Sequence, residues 1–284
     1  MPTEEPEAKQ RLDQILLSRN DSLSRASVAK YIKRGHVTVN GTVETKPGLK
    51  LKPSEKISLI VPDNKDHNRE SLDILIIYKD DDCIVINKPV GVLTHSKGSF
   101  NPEETVATWA QPYLSSMDGE RAGIVHRLDR PTSGVMIIAR NPSALKWLQK
   151  QFSQRRTKKI YTAVVHGIPA NHEAIIDMPI ERNPKHPQTF RTGINGKSAL
   201  TAYTILKSNH KYSLVELKPT SGRTHQLRVH MAAIGHPIVG DSLYGTGLAE
   251  RMFLHARSLE ITLPDKHRKV FETPVPPEFL EIVS

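Results

Sequence analysis

One short segment places an acidic side chain between two cations, close to the start of an apolar stretch. Asp129 lies between Arg127 and Arg130, and residues 135–139 after it are apolar throughout. An apolar run of this length is typical of a buried strand. The intervening residues 131–134 are of the types that favour a turn. We therefore expect Asp129 to lie on a turn before a buried strand, where a fold can display a reactive carboxylate.

A second basic cluster, residues 221–230, lies roughly ninety residues later and has a similar organisation. Ser221 and Gly222 form a turn signal before Arg223, and polar and apolar residues then alternate. This alternation predicts a strand with Thr224, Gln226 and Arg228 on one face and Leu227 on the other. The chain therefore has two cation-bearing turns, each leading into a predicted strand.

Length and composition exclude several classes of protein. A chain of 284 residues can form two domains. It contains no run of eighteen apolar residues, so we expect no membrane-spanning helix. The acidic residues 1–7 do not resemble a signal or transit peptide. The single Cys83 excludes an internal disulfide and a zinc site built on several cysteines, which predicts a cytoplasmic or similarly reducing location.

The net charge of +10 is unevenly distributed along the chain. Residues 9–61 contain 11 Lys and Arg against 4 Asp and Glu, whereas residues 62–82 contain 3 against 7. A basic first module followed by an acidic joint indicates a polyanionic partner for that module.

Two short helices are predicted in the basic module, between residues 11 and 34. Leu12, Ile15 and Leu16 recur at helical spacing, and Ser24 is a favourable N-cap for a second helix. Gly35 is placed to end that helix. An Asn40-Gly41 hairpin and short strands to residue 61 follow, and the turn-rich residues 62–70 are interpreted as a linker.

Beyond residue 72 the pattern predicts many strands and few helices. A helix is expected over 144–152, and apolar or alternating runs predict strands at 75–78, 83–86, 135–139, 160–165, 199–206, 213–217, 227–229 and 259–263. Runs of strands outnumber regular β-α-β alternation, which favours an α+β fold over a doubly wound parallel sheet.

Six motifs, in order over about 200 residues, resemble the signature of the RluA-type pseudouridine synthases. They occupy residues 87–95, 122–140 with the His126-Arg127-Leu128-Asp129 core, 161–167, 196–203, 221–244 and 254–256. The first module is similar to an S4-type RNA-binding domain at residues 11–13, 24–25 and 35–41. It departs from that pattern before its closing strand, where Ser54-Glu55 stands in place of Gly-Asp.

The resemblance implies a fold and a domain organisation. It implies an S4-like α/β domain over residues 9–61, a linker over 62–70 and a catalytic domain over 71–284. The catalytic domain is expected to be α+β, with a mixed, mostly antiparallel central sheet flanked by helices.

The resemblance also implies a reaction, the isomerisation of uridine within RNA to pseudouridine, with no cofactor and no metal. Asp129 would be the essential carboxylate, acting either by attack on C1′ or by removal of the 2′-proton. Arg223 would be its cation partner, since an unpaired buried charge is costly. Tyr161 would offer a flat surface to the base, and its hydroxyl could also relay the proton at C5.

Other residues take substrate roles by the same resemblance. Arg127 would fill the gap that an extruded base leaves in the RNA stack, with His126 supporting its loop. Leu227 would close the second side of the pocket, and Lys88 would shape its edge and could meet a phosphate. The basic module would contact phosphates through the cations Arg11, Arg25, Lys30, Lys33 and Arg34.

The expected substrate is ribosomal RNA of the large subunit, with transfer RNA as an alternative. A non-catalytic RNA-binding or ribosome-assembly protein on the same fold is a second alternative. We expect a monomer.

Overall fold

The computed structural model describes residues 9–20, 23, 25–60, 72–96, 103–117, 119 and 121–284. Ser24 and the linker expected over 62–70 lie outside the described residues. The chain divides into two compact units. The first contains the described residues up to 60 together with Ser96 and Glu103, and the second contains those within 72–95 and 104–284. Among the described residues, no helix is long and apolar enough to cross a membrane.

Six α-helices are found among the described residues. They are α1 (Leu12–Ser18), α2 (Arg25–Lys33), α3 (Val106–Ala110), α4 (Pro142–Ser153), α5 (Gln226–Ala233) and α6 (Pro277–Glu281). A 3-10 helix, Gln111–Tyr113, follows α3.

The strands fall into two groups. The first unit contains β1 (Gln10–Arg11), β2 (Val37–Val39), β3 (Thr42–Val43), β4 (Lys50–Leu51) and β5 (Ile57–Leu59). The second contains β6 (Leu75–Lys79), β7 (Cys83–Lys88), β8 (Ser133–Ala139), β9 (Lys158–His166), β10 (Glu173–Asp177), β11 (Ile180–Arg182), β12 (Phe190–Thr192), β13 (Leu200–Ser208), β14 (Tyr212–Pro219), β15 (Leu254–Thr262) and β16 (Arg268–Glu272).

The first unit has the two helices that the sequence predicts. Leu12 and Leu16 of α1 pack with Val28 and Ile32 of α2 in one buried cluster, which is the helical spacing expected of an amphipathic pair. Residues 40 and 41 have positive φ angles of 51° and 82°, so the predicted Asn-Gly hairpin joins β2 to β3.

The second unit is built on a nine-stranded sheet. Its strand order is β10-β13-β14-β9-β15-β8-β7-β6, and β16 also pairs with β15. All pairs are antiparallel except β15 with β8, which confirms the expected mixed, mostly antiparallel sheet. The strand β8 is buried along its whole length, as its apolar sequence predicts.

Helices cover both faces of this sheet. Val135 and Ile137 of β8 pack with Leu148 of α4, whereas Met136 and Ile138 point to the opposite side, because successive residues of a strand face opposite ways. On another part of the sheet, Leu227 and Met231 of α5 pack against β9 and β14. The hydrophobic core therefore lies in two layers, one on each side of the sheet.

The predicted strand at 227–229 is wrong, because these residues belong to α5. The alternation was misleading since two polar residues of the helix, Arg228 and His230, are themselves buried. Their hydrogen bonds inside the fold satisfy both side chains, so the helix lacks the polar face that normally reveals a helical period.

Candidate active site

The turn that carries Asp129 is fixed by its own backbone and by the strand after it. The amide of Thr132 donates to the carbonyl of Asp129 at 3.0 Å, and β8 begins at the next residue. Gly134 pairs with Ala256 of the parallel strand β15, with a φ of 115°. A Cβ at this position would lie 2.2 Å from the carbonyl oxygen of Ala256, so only glycine lets β8 approach β15 here.

Residues 88–94 hold the same turn from the other side. The hydroxyl of Thr94 donates to the carbonyl of Leu128 at 2.8 Å and accepts from the amide of Leu128 at 3.2 Å. The amide of Gly91 donates to the carbonyl of Arg130 at 2.9 Å. Both neighbours of Asp129 are thus hydrogen-bonded to a separate segment, which restricts where the carboxylate can move.

Lys88 belongs to this support and does not face the solvent. Its side chain is 0% exposed, and Nζ donates to the carbonyls of Pro89 and Val92, both at 2.8 Å. Burial lowers its pKa to about 7 against a raising effect of Asp129. The expected contact between Lys88 and a phosphate is therefore wrong, because the ammonium group is enclosed by the backbone that it organises.

The cation beside Asp129 is Arg228. Its Nη1 lies 3.4 Å from Oδ2 of Asp129, and Nε and Nη2 each lie 2.7 Å from the carboxylate of Asp241. The side chains of Arg228 and Asp241 are 4% and 0% exposed, against 18% for Asp129. Asp241 also accepts from two backbone amides, those of Leu243 and Tyr244. A buried, bidentate pair thus fixes the guanidinium, and its remaining edge meets the more accessible carboxylate.

Arg223 does not occupy the position predicted for it. Its Nε donates to the carbonyl of Ser198 at 3.2 Å, and its backbone amide donates to the side chain of Gln226. No ion pair between Arg223 and Asp129 is found in the described part of the chain. The prediction took Arg223 from the family resemblance and assigned no role to Arg228, which belongs to α5 and is buried beside Asp129.

His225 and Tyr244 complete the surroundings of Asp129. Nε2 of His225 lies 3.8 Å from Oδ2 of Asp129, and Nδ1 lies 2.8 Å from the hydroxyl of Tyr244. Burial lowers the pKa of His225 against the raising effect of Asp129. The guanidinium of Arg228 also lies over the Tyr244 ring, 5.1 Å from its centroid.

Asp129, His225 and Arg228 border a central cavity of about 120 Å³. Tyr161 lies in its wall where two clusters of the hydrophobic core meet, and burial raises the pKa of its hydroxyl. Leu227 lines the cavity, as predicted, and so does the exposed Arg127. Arg223 also lies in the wall, although it does not pair with Asp129. The cavity thus combines one carboxylate, several cations and apolar surface.

His126 supports the loop from within. Its Nε2 accepts from the amide of Ile137 at 3.1 Å, and its ring stacks on Phe152 with centroids 4.5 Å apart. Burial lowers its pKa to about 3, so the imidazole is neutral near pH 7. A neutral, packed ring holds the residue before Arg127 in place.

The cations predicted in the basic module differ in their surroundings. Arg25, Lys33 and Arg34 are exposed, and Lys30 is partly exposed. Arg11 instead forms a bidentate pair with Asp13, with distances of 2.9 and 2.8 Å.

Sequence reasoning missed Arg228, Asp241 and Lys159 as neighbours of the cavity. Asp241 is the only acidic residue between Glu216 and Glu250, and that isolation was an available signal. Lys159 stands two residues before Tyr161, so both face the same side of β9 and both line the cavity.

Comparison with known proteins identifies the family of the chain. A family model described as RNA pseudouridylate synthase matches residues 82–233, and a model of the S4 domain matches residues 10–57. An RNA pseudouridine synthase of Aquifex aeolicus is 41% identical over 84% of this chain and 77% of that protein. The ribosomal large subunit pseudouridine synthase D of Pasteurella multocida is 34% identical over 97% of this chain and 90% of its own.

Solved structures show the same likeness. The human RNA pseudouridylate synthase domain containing 1 superposes with a TM-score of 0.61 at 30% identity, over 75% of this chain and 86% of that one. The chain therefore belongs to the RNA pseudouridine synthase family and carries an S4 domain in its N-terminal part.

Proposed function

We propose that this protein converts uridines within large-subunit ribosomal RNA to pseudouridine, with Asp129 as the catalytic carboxylate. The observation that carries the proposal is the placement of Asp129, partly accessible in the cavity wall and 3.4 Å from the buried Arg228. Arg228 restrains the position of the carboxylate, while Asp241 keeps the guanidinium fixed.

The reaction begins with breakage of the bond between N1 and C1′, whose electron pair passes to the uracil ring. Asp129 either bonds to C1′ or removes the 2′-proton to give a glycal. The uracil turns, and C5 bonds to C1′ as Asp129 either leaves C1′ or returns the proton to C2′. The C5 proton is then lost and N1 gains a proton. The product is an isomer of the substrate, so the reaction needs no oxidant, no reductant and no added water. On this stoichiometry we propose catalysis without a cofactor.

Arg127 is suited to stabilise RNA from which the target base has been extruded. Extrusion costs a few kcal/mol of lost stacking. The Arg127 side chain is exposed beside the cavity, and its planar guanidinium can stack where the base has left. The neutral His126 beneath it holds the loop in register.

Two observations support ribosomal RNA as the substrate. Relatives that share nearly the full length of this chain are named as large-subunit enzymes, and the first module carries an S4 domain with exposed cations. We propose that the protein acts in the cytoplasm, in keeping with its single cysteine, and that it is a monomer. Light scattering of the purified protein tests the monomer. Mapping pseudouridines in ribosomal and transfer RNA, from cells with and without the protein, tests the substrate.

The substitution Asp129→Asn tests the catalytic assignment. Each turnover loses the hydrogen at C5, so RNA with tritium at uracil C5 reports the reaction directly. We expect no tritium release from the variant and unchanged RNA affinity, because the amide is nearly isosteric with the carboxylate. The control is Asp265→Asn, at a more exposed carboxylate in the turn between β15 and β16. Full activity of Asp129→Asn would refute the assignment, and RNA binding without release by the wild type would favour a non-catalytic RNA-binding protein.

A further inference from the structure

A second depression, which we name the cationic groove, continues from the central cavity. It has a volume of about 550 Å³ and shares Arg127, Lys159, Tyr161 and Arg223 with the cavity wall. Beyond these it is bordered by the end of α4 and by the residues after that helix, including Phe152, Arg155 and Thr157. A chain entering the cavity can therefore continue into the groove.

The lining of the cationic groove has one sign of charge. Three arginines and one lysine border it, and no described Asp or Glu is among its lining residues. Lys159 shows the consequence, since burial and then the charge of Arg155 lower its pKa to about 8. Like charges held close together without a counter-ion are unfavourable, and a bound anion would relieve the repulsion.

The backbone at Arg155 provides an independent observation. Among the described residues, three helices end with the same pair of hydrogen bonds. The second residue after α2, α5 and α4 donates its amide hydrogen to the carbonyl of the residue three positions earlier in the chain, with distances of 3.0, 3.0 and 3.1 Å. The third residue after each helix donates its amide hydrogen to the carbonyl of the residue five positions earlier, with distances of 3.1, 2.9 and 2.9 Å. This geometry requires a left-handed residue, for which glycine is favoured.

The three helices differ in the residue that fills the left-handed position. Gly35 after α2 and Gly235 after α5 have φ angles of 79° and 86°. Arg155 after α4 has a φ of 56°, a conformation that costs a residue with a Cβ more than it costs glycine. Its side chain is exposed in the groove, and no hydrogen bond or ion pair of its guanidinium is found among the described residues. The chain thus accepts a less stable helix end where the arginine borders the groove.

We infer that the cationic groove binds the phosphodiester backbone of the RNA strand next to the extruded uridine, and that Arg155 contacts a phosphate there. This inference rests on the proposed function, since it takes the central cavity as the place of the target nucleotide. The volume suits a stretch of single-stranded backbone, and the guanidinium can donate two hydrogen bonds to one phosphate. The phosphate contact then offsets, on RNA binding, the conformational cost of the left-handed backbone at Arg155.

The substitution Arg155→Gly separates a binding role from a structural one. Glycine suits the backbone better, so we expect the melting temperature to rise by about 2 °C. Loss of the phosphate contact should weaken binding about tenfold at low salt. It should also reduce the slope of log affinity against log salt by about 0.7. The probe is large-subunit ribosomal RNA transcribed in vitro, and the measurement is filter binding over a range of salt concentrations.

Two variants are controls. Arg156→Ala removes the same charge from the adjacent exposed residue, which does not line the groove, and should leave affinity and slope unchanged. Arg155→Lys keeps the cation and should retain most of the affinity. The inference is overturned by wild-type affinity and slope in Arg155→Gly, by equal weakening in Arg156→Ala, or by a lower melting temperature of Arg155→Gly. Tritium release by the wild type, measured in parallel, tests the proposed function separately because binding needs no turnover.

Discussion

Arg228 and Asp129 are 99 residues apart in the sequence, yet Nη1 of one lies 3.4 Å from Oδ2 of the other. The guanidinium is shared between two carboxylates, with the shorter and more buried contacts to Asp241. Burial raises the pKa of Asp241, but the hydrogen bonds and charge of Arg228 outweigh this effect, and its pKa is lowered. Asp241 thereby anchors Arg228, which presents its free edge to the partly accessible Asp129.

The first prediction distinguishes the two arginines. Arg228→Lys keeps one positive charge but cannot bind Asp241 through two nitrogens while also reaching Asp129. We expect kcat to fall by roughly a hundredfold, in line with the loss of a preorganised charge contact. Arg223→Lys should have a much smaller effect, because Arg223 contacts a backbone carbonyl. Single-turnover tritium release measures both, and equal losses in the two variants would contradict the roles assigned here.

The second prediction concerns the buried Lys88. Lys88→Met keeps an unbranched side chain that is one atom shorter but removes the donor to the carbonyls of Pro89 and Val92. The turn that carries Asp129 should loosen, so kcat should fall about tenfold while RNA affinity stays the same. A phosphate contact would give the opposite pattern, with weaker binding.

The lowered pKa of Lys88 also predicts that the stability of the protein depends on pH. Its pKa is about 7 in the fold against an ordinary 10.5, so the unfolded chain binds more protons between these values. The free energy of unfolding of the wild type should therefore rise from pH 7 to 10 relative to that of Lys88→Met. Urea unfolding at pH 7 and pH 9.5 measures the difference, and parallel behaviour of the two proteins would show that Lys88 titrates normally.

The third prediction uses His255, which is 2% exposed and lies between the hydroxyls of Ser133 and Thr273, each at 2.9 Å. Burial, and then the charge of Arg251, lower its pKa to about 4 from 6.5. The unfolded chain therefore takes up the proton first, and stability is lost as the pH falls from 6.5 towards 4. The loss from this group is about 3 kcal/mol. His255→Gln should lose less stability than the wild type over the same interval in urea unfolding.

The fourth prediction tests the basic face of α2. Arg25 and Lys33 are exposed, and the double variant Arg25→Gln, Lys33→Gln should lower RNA affinity at low salt. The slope of log affinity against log salt should fall by about 1 to 2, because fewer counter-ions are released on binding when a phosphate contact is lost. The matched control is Lys52→Gln, Lys56→Gln, at exposed lysines of the same unit outside α2. Equal losses in both double variants would point to net charge and not to this helix.

Local patterns in the sequence determined the helices, strands and turns whose apolar or turn-forming residues follow a regular spacing. The apolar residues after Asp129 became the buried β8, the helical spacing around Leu12 became α1, and Asn40-Gly41 became a hairpin. In each case the residues that set the structure are neighbours in the chain, so their spacing carries the information. The motif order likewise identified the family, now supported by the matches over residues 82–233 and 10–57.

Only the tertiary structure decided which charged groups meet. The sequence alone does not distinguish Arg223 from Arg228 as the partner of Asp129. The choice depends on α5 being a helix and on the contact between Asp241 and the Arg228 guanidinium. Lys88 turned inward because the carbonyls of 89–92 surround its ammonium group. The physical reason is that a buried charge is tolerated only where partners converge on it, and those partners come from segments far apart in the chain.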